Sequence, residues 1–141
     1  MQEVPFHILI AEDDDDDQFI LRDAVELLHP TQVRISQVYD GAELLGYLNN
    51  AAAGKAGYNM PDVVLLDINM PVIDGFEALQ RMKGDDKFRH LPVCVITTMR
   101  NIDKIEHSME LGAANFFTKP NHIRGYVKII EEIMGAVLQG T

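Results

Sequence analysis

The chain has 141 residues, 47% of them hydrophobic and 24% charged, the balance of an ordinary folded domain. With 22 acidic and 12 basic residues the net charge is −10, which argues against nucleic acid or an anionic membrane surface as a partner. No apolar run approaches the roughly 20 residues of a membrane helix, and "MQEVPFH" lacks a secretion signal's basic start and apolar stretch, so one cytoplasmic domain over 1–141 is expected.

In chain order, "FHILIA" (6–11) is a short, nearly continuous apolar run, as expected of a strand covered on both faces. Six acidic residues follow, Glu12 to Asp17. Ile20, Ala24, Leu27 and Leu28 then recur at helical spacing until His29-Pro30 stops them. "VRISQV" (33–38) alternates as a strand does, and Asp40-Gly41 turns into a short helix holding Leu44, Leu45 and Leu48. "NNAAAGKAGYNMP" (49–61) reads as a surface loop. "DVVLLD" (62–67) is a buried strand, followed by a helix with Phe76, Leu79 and Met82.

"PVCVIT" (92–97) is a further buried strand, and its Cys94, the one cysteine, is a free thiol. A helix carrying Ile102, Ile105 and Met109 ends at Gly112, and "ANFFTKP" (114–120) supplies a fifth strand. Ile123, Val127, Ile130, Met134 and Val137 form the apolar stripe of a last helix. Strands alternating with helices imply βαβ units, a parallel sheet and helices on both faces.

Ligands of such sheets sit outside the carboxyl ends of the strands. Those ends carry Glu12-Asp13, Asp67, Thr97-Thr98 and Lys119-Pro120, so carboxylates, a hydroxyl and an ammonium converge on one edge. Clustered carboxylates repel one another unless a cation intervenes, and a hard divalent ion such as Mg²⁺ suits them. Part of the acidic run is then a metal site. Asp14 to Asp17 fall in the first turn of the next helix, where the dipole favours negative charge.

"ILIAEDD", "LLDINMPVIDG", "VITT" and "FFTKP", in that order, resemble the receiver (CheY-like) domains of two-component response regulators over essentially the whole chain. "VITT" and the long loop before the third strand resemble stand-alone receivers paired with phytochrome-type histidine kinases. The resemblance implies a flavodoxin-like, doubly wound sheet of order 2-1-3-4-5 and no output domain. It implies that Asp67 accepts a phosphoryl group and that Mg²⁺ is bound by Asp13, by Glu12 through water, by Asp67 and by the carbonyl of Asn69. Thr97 would hydrogen-bond the phosphoryl group, Lys119 would pair with it, and a cis bond before Pro120 would aim the lysine. Thr97 and Phe116 would form the switch, while Asn69 and Met99 would tune hydrolysis. The implied partners are a sensor histidine kinase or a histidine phosphotransfer protein, with a homodimer as a further option. Such a protein signals through changed contacts and is not an enzyme in its own right.

Two other chemistries fit the same fold less well. A haloacid-dehalogenase-type phosphatase usually carries a second acid two residues after its nucleophile, where this chain has Asn69. A nucleotide or flavin binder needs a glycine-rich phosphate loop, and neither G-x-x-x-x-G-K-[ST] nor G-x-G occurs. A receiver-like module that has lost phosphate acceptance gains no support from a sequence retaining Asp13, Asp67, Thr97 and Lys119.

Overall fold

The computed structural model describes residues 6–28, 33–98 and 101–139. Five strands alternate with five helices: β1 (Phe6–Ala11), α1 (Asp15–Leu28), β2 (Val33–Val38), α2 (Gly41–Ala52), β3 (Val63–Leu66), α3 (Gly75–Lys83), β4 (Val93–Thr97), α4 (Ile102–Glu110), β5 (Asn115–Thr118) and α5 (Ile123–Gln139). The strands form one sheet in the order β2-β1-β3-β4-β5, every neighbouring pair parallel. This is the doubly wound topology expected from the sequence. Its order reverses between β1 and β3, whose carboxyl ends lead into Glu12-Asp13 and Asp67.

Alternation along the strands divides the core in two. Leu9, Ala11, Val64, Leu66, Val93 and Val95 face one side, where they pack with Leu44 and Leu48 of α2 and Ala78, Leu79 and Met82 of α3. Ile8, Ile10, Val63, Leu65, Cys94 and Ile96 face the other, against Leu21, Ala24 and Val25 of α1 and Tyr126, Ile130, Ile133 and Met134 of α5. Burial of each branched side chain contributes about 1.5–3 kcal/mol, so the central strands are the most firmly held part of the molecule. The site hangs on their ends.

Some expectations need correction. On α1 the buried face is Gln18, Leu21, Ala24 and Val25, whereas Leu27 is 63% exposed, because the helix is rotated so that Leu21 leads the stripe. α2 runs on to Ala52, taking in the first residues of the expected loop, because Asn49, Asn50 and the following alanines continue its hydrogen bonding. On α4, Ile102 is 69% exposed, Met109 is also exposed and Ile105 is half-buried, while Ser108 is the buried residue. Nine residues capped by Asn101 and resting mainly on β5 leave little room for a full apolar stripe. The stop at His29-Pro30 and Met99 lie outside the described residues. Among the described residues no helix is long and apolar enough to cross a membrane.

Candidate functional site

β1 delivers Glu12 and Asp13 at its carboxyl end. The Glu12 amide donates to the Val38 carbonyl at 3.1 Å, prolonging the β1–β2 ladder by one residue. Behind that bond lies Gln18, buried on α1, whose Nε2 donates to the carbonyls of Ile10 (3.2 Å), Glu12 (3.0 Å) and Val38 (2.8 Å). Its Oε1 accepts from Gln37 at 2.9 Å, so the amide is satisfied on both sides. One side chain thus pins the β1–α1 turn that presents the acids. Asp14 opens the helix: its Oδ1 accepts from the Asp16 amide (2.8 Å), and its own amide donates to Glu12 Oε2 (3.1 Å). Asp15, Asp16 and Asp17 occupy the first turn, where the helix dipole favours their charge.

Asp67 follows β3 and is 3% exposed. Its amide donates to the Ala11 carbonyl at 3.0 Å, which fixes it beside the β1 end. The Asn69 amide donates to Asp67 Oδ1 at 3.3 Å, and the Asn69 side chain is exposed. The loop then folds back on itself, with the Gly75 amide donating to the Ile68 carbonyl at 2.9 Å. A Cβ at Gly75 would come within 2.6 Å of the Asp67 carbonyl oxygen and of the Ile68 Cα, so only glycine permits this return. Val72, at the tip, has φ 68°, a strained conformation for a β-branched residue that costs about 1–3 kcal/mol. Asp74 caps α3 by accepting from the Glu77 amide at 2.9 Å.

Thr97 ends β4 fully buried, and its Oγ1 has no hydrogen-bond partner among the described residues. A buried hydroxyl without a partner is costly, which marks the place as one prepared for a polar group. Lys119 follows β5, its amide donating to the Thr97 carbonyl at 2.8 Å. Its ammonium reaches Glu12 Oε1 and Asp17 Oδ2, each at 2.6 Å, and Asp67 Oδ2 at 3.5 Å. The peptide bond before Pro120 is trans, against the expected cis form. Trans is the lower-energy isomer, and the ladder bond to Thr97 already directs Lys119 into the site.

The electrostatics follow from burial and pairing. Burial pushes the Glu12 carboxyl up to about 8, opposed by its ion pair with Lys119 and helped by the Asp67 charge. Burial alone would lower Lys119, but hydrogen bonds to Asp17 and Glu12 and the charge of Asp67 outweigh it, leaving the lysine above its ordinary range and charged. Glu12, Asp13 and Asp67 each place a carboxylate oxygen within 4.8 Å of the others. One ammonium cannot balance these three acids and Asp17. A hard, oxygen-seeking divalent cation fits the donor set.

The residues expected to act together are therefore assembled in part by direct contact. Glu12, Asp13 and Asp67 converge, Lys119 touches two of them, and Thr97 stands at the next strand end. Phe116 lies on β5 opposite Val95, half-buried against the α2–α3 side of the core. Sequence reasoning missed two residues. Gln18 stands in phase with Leu21, Val25 and Leu28, so a polar amide in an otherwise apolar stripe was the available signal. Asp17 had none: it was one of several acids in a helix's first turn.

The family model for the response regulator receiver domain matches residues 8–131. The probable methanogenesis regulatory protein FilR2 of Methanothrix harundinacea is 33% identical over 131 residues, covering 93% of this chain and 83% of that protein. The phosphorylated cyanobacterial phytochrome response regulator RcpA matches with a TM-score of 0.84 at 28% identity, over 97% of this chain and 96% of that one. The Mn²⁺-bound form of response regulator Rcp1 matches with a TM-score of 0.80 at 26% identity, over 92% and 91% of the two chains.

Proposed function

This chain belongs to the response regulator receiver family, and we propose that it accepts a phosphoryl group from a kinase phosphohistidine onto Asp67 and signals through altered protein contacts. The observation that carries this reading is the convergence of the Glu12, Asp13 and Asp67 carboxylates, the first and last of them in contact with the Lys119 ammonium, beside the buried hydroxyl of Thr97, which has no hydrogen-bond partner among the described residues. Phosphoryl transfer asks a protein mainly for in-line positioning and neutralisation of charge on the phosphoryl oxygens.

In this mechanism an oxygen of Asp67 attacks phosphorus, the P–N bond to the donor imidazole breaks, and the imidazole leaves as an intact ring. Lys119 then pairs with a phosphoryl oxygen, and the Thr97 hydroxyl donates to another. Glu12, Asp13, Asp67 and the Asn69 carbonyl would hold a Mg²⁺ ion, which when bound supplies the remaining positive charge. The carboxylate donor set suits that ion, and the similar regulator Rcp1 has a Mn²⁺-bound form. Movement of Thr97 towards the phosphoryl group biases the packing of Phe116, so the switch rests on packing alone, phenylalanine having no hydroxyl.

On this reading the receiver is a signalling component rather than an enzyme, working in the cytoplasm. Its partner is a sensor histidine kinase or a histidine phosphotransfer protein. The similarity to a phytochrome response regulator favours a phytochrome-type kinase, and a homodimer is the second association to test.

The test is intact mass after incubation with acetyl phosphate, with Mg²⁺ or EDTA, for the wild type and Asp67→Asn. One added phosphoryl group, seen with Mg²⁺ and in the wild type alone, is expected. Addition to Asp67→Asn, or addition that ignores EDTA, would overturn the assignment.

A further inference from the structure

The Lys119 ammonium has two short contacts, and neither is to the residue read as phosphoacceptor. Glu12 Oε1 and Asp17 Oδ2 lie at 2.6 Å, against 3.5 Å for Asp67 Oδ2. Asp17 is not among the three carboxylates grouped closely enough to share an ion, so its contact with the lysine lies outside that group. It is firmly carried: it is next to Gln18, whose amide clamps α1 to the ends of β1 and β2.

We propose that Asp17 is a positioning residue that holds Lys119 in the unphosphorylated protein and competes with the phosphoryl group for its ammonium. The inference rests on the reading of Asp67 as phosphoacceptor. A cation held by Glu12, Asp13 and Asp67 draws on the charge of Glu12, one of the lysine's two short partners. Asp17 is then the remaining short one. For Lys119 to pair with a phosphoryl oxygen on Asp67, its nitrogen must move away from Asp17 or share its protons unequally. No bond is made or broken in this exchange. The Asp17 side chain is 26% exposed, so water takes over part of its charge when the lysine leaves, and the latch is releasable. Asp17 lies in the first turn of α1, which packs along α5, so the latch borders the α1–α5 interface.

The experiment is a calorimetric titration with beryllofluoride at saturating Mg²⁺, beside the rate of labelling by acetyl phosphate. It uses wild type, Asp17→Asn, Asp17→Glu and Asp16→Asn. The Asp16 variant removes the same charge from the same turn without touching Lys119. Asp17→Asn is expected to bind beryllofluoride about three- to tenfold more tightly and to label faster by a similar factor. Asp17→Glu should return towards wild type, and Asp16→Asn should match it. Equal or weaker binding by Asp17→Asn overturns the latch, as does an equal gain in Asp16→Asn. If the wild type neither binds beryllofluoride nor labels, the phosphoacceptor reading falls and takes the latch with it. Binding by wild type with no change in Asp17→Asn removes the latch alone.

Discussion

Thr97 and Lys119 are tied through their main chains, the lysine amide donating to the threonine carbonyl at 2.8 Å. Two adjacent strand ends are thus joined directly. Their side chains differ, however, for the lysine is surrounded by acids and the threonine hydroxyl has no partner among the described residues. The threonine that carries the hydroxyl is thus bonded directly to the backbone that carries the ammonium.

Thr97→Val is the cleanest probe of that hydroxyl. It keeps the shape and removes a buried polar group that lacks a hydrogen bond. The unliganded variant should be as stable as wild type or more stable by about 1 kcal/mol in urea unfolding. The stabilisation by beryllofluoride with Mg²⁺ should shrink sharply in the same assay. A loss of stability before any phosphate mimic is added would mean that the hydroxyl has a structural partner.

Gln18→Leu addresses the clamp behind the acids. Leucine fills the space but leaves the Ile10 and Glu12 carbonyls without their side-chain donor. About 1–3 kcal/mol of stability should be lost. Metal affinity should fall about 10- to 100-fold, because the turn carrying Glu12 and Asp13 is no longer held. A Mg²⁺ titration followed by thermal shift reads the second effect, and unchanged affinity would reduce Gln18 to a fold residue.

The sheet and its strand-end acids were legible because both depend on local pattern: apolar runs of strand length, each followed by a polar residue at its carboxyl end. α4 was legible as a helix, but its inward face was not. Ile102, Ile105 and Met109 have helical spacing, yet spacing cannot show that little covers the helix, and Ser108, bonded to the Ile105 carbonyl at 2.8 Å, takes the inward place. Asp17 was invisible because its meaning comes from Lys119, 102 positions away along the chain. The order of the strands came from the family resemblance and not from the periodicity, which is the same for any parallel arrangement.

Gly75→Ala tests how tightly the loop after Asp67 is closed. The added Cβ meets main-chain atoms of Asp67 and Ile68, which cannot rotate away as a side-chain tip could. A destabilisation of about 1–3 kcal/mol is expected, with slower labelling of Asp67 by acetyl phosphate as its carboxylate shifts. Labelling at the wild-type rate in the destabilised variant would show that the loop and the carboxylate are uncoupled.

His7 gives the fold a pH dependence at the opposite end of β1. Its Nε2 lies 2.7 Å from Ser36 Oγ, which lies 3.2 Å from the Tyr47 hydroxyl, and that hydroxyl donates to the Asn59 carbonyl at 3.0 Å. With the tyrosine proton committed to Asn59, the serine donates to the tyrosine and the histidine Nε2–H donates to the serine. Nδ1 is left buried without a hydrogen bond among the described residues. Burial lowers the His7 pKa and the charge of Arg34 adds to this, against the opposing pull of the Met60 main chain and the Asp62 charge. The folded protein therefore binds this proton less readily than the unfolded chain does. The associated stability is complete above the ordinary histidine value of about 6.5 and is lost as pH falls through the lower folded value. Glu12 acts in the reverse sense, because a carboxyl raised to about 8 in the folded state loses stability as pH rises towards that value. The comparison must therefore be between wild type and His7→Gln at each pH. Urea unfolding between about pH 5 and 7.5 should show the wild-type advantage greatest at neutral pH, about 1–2 kcal/mol for the buried hydrogen bond, and shrinking as the solution is acidified. An advantage that stays constant over that range would mean that His7 is not the group that titrates.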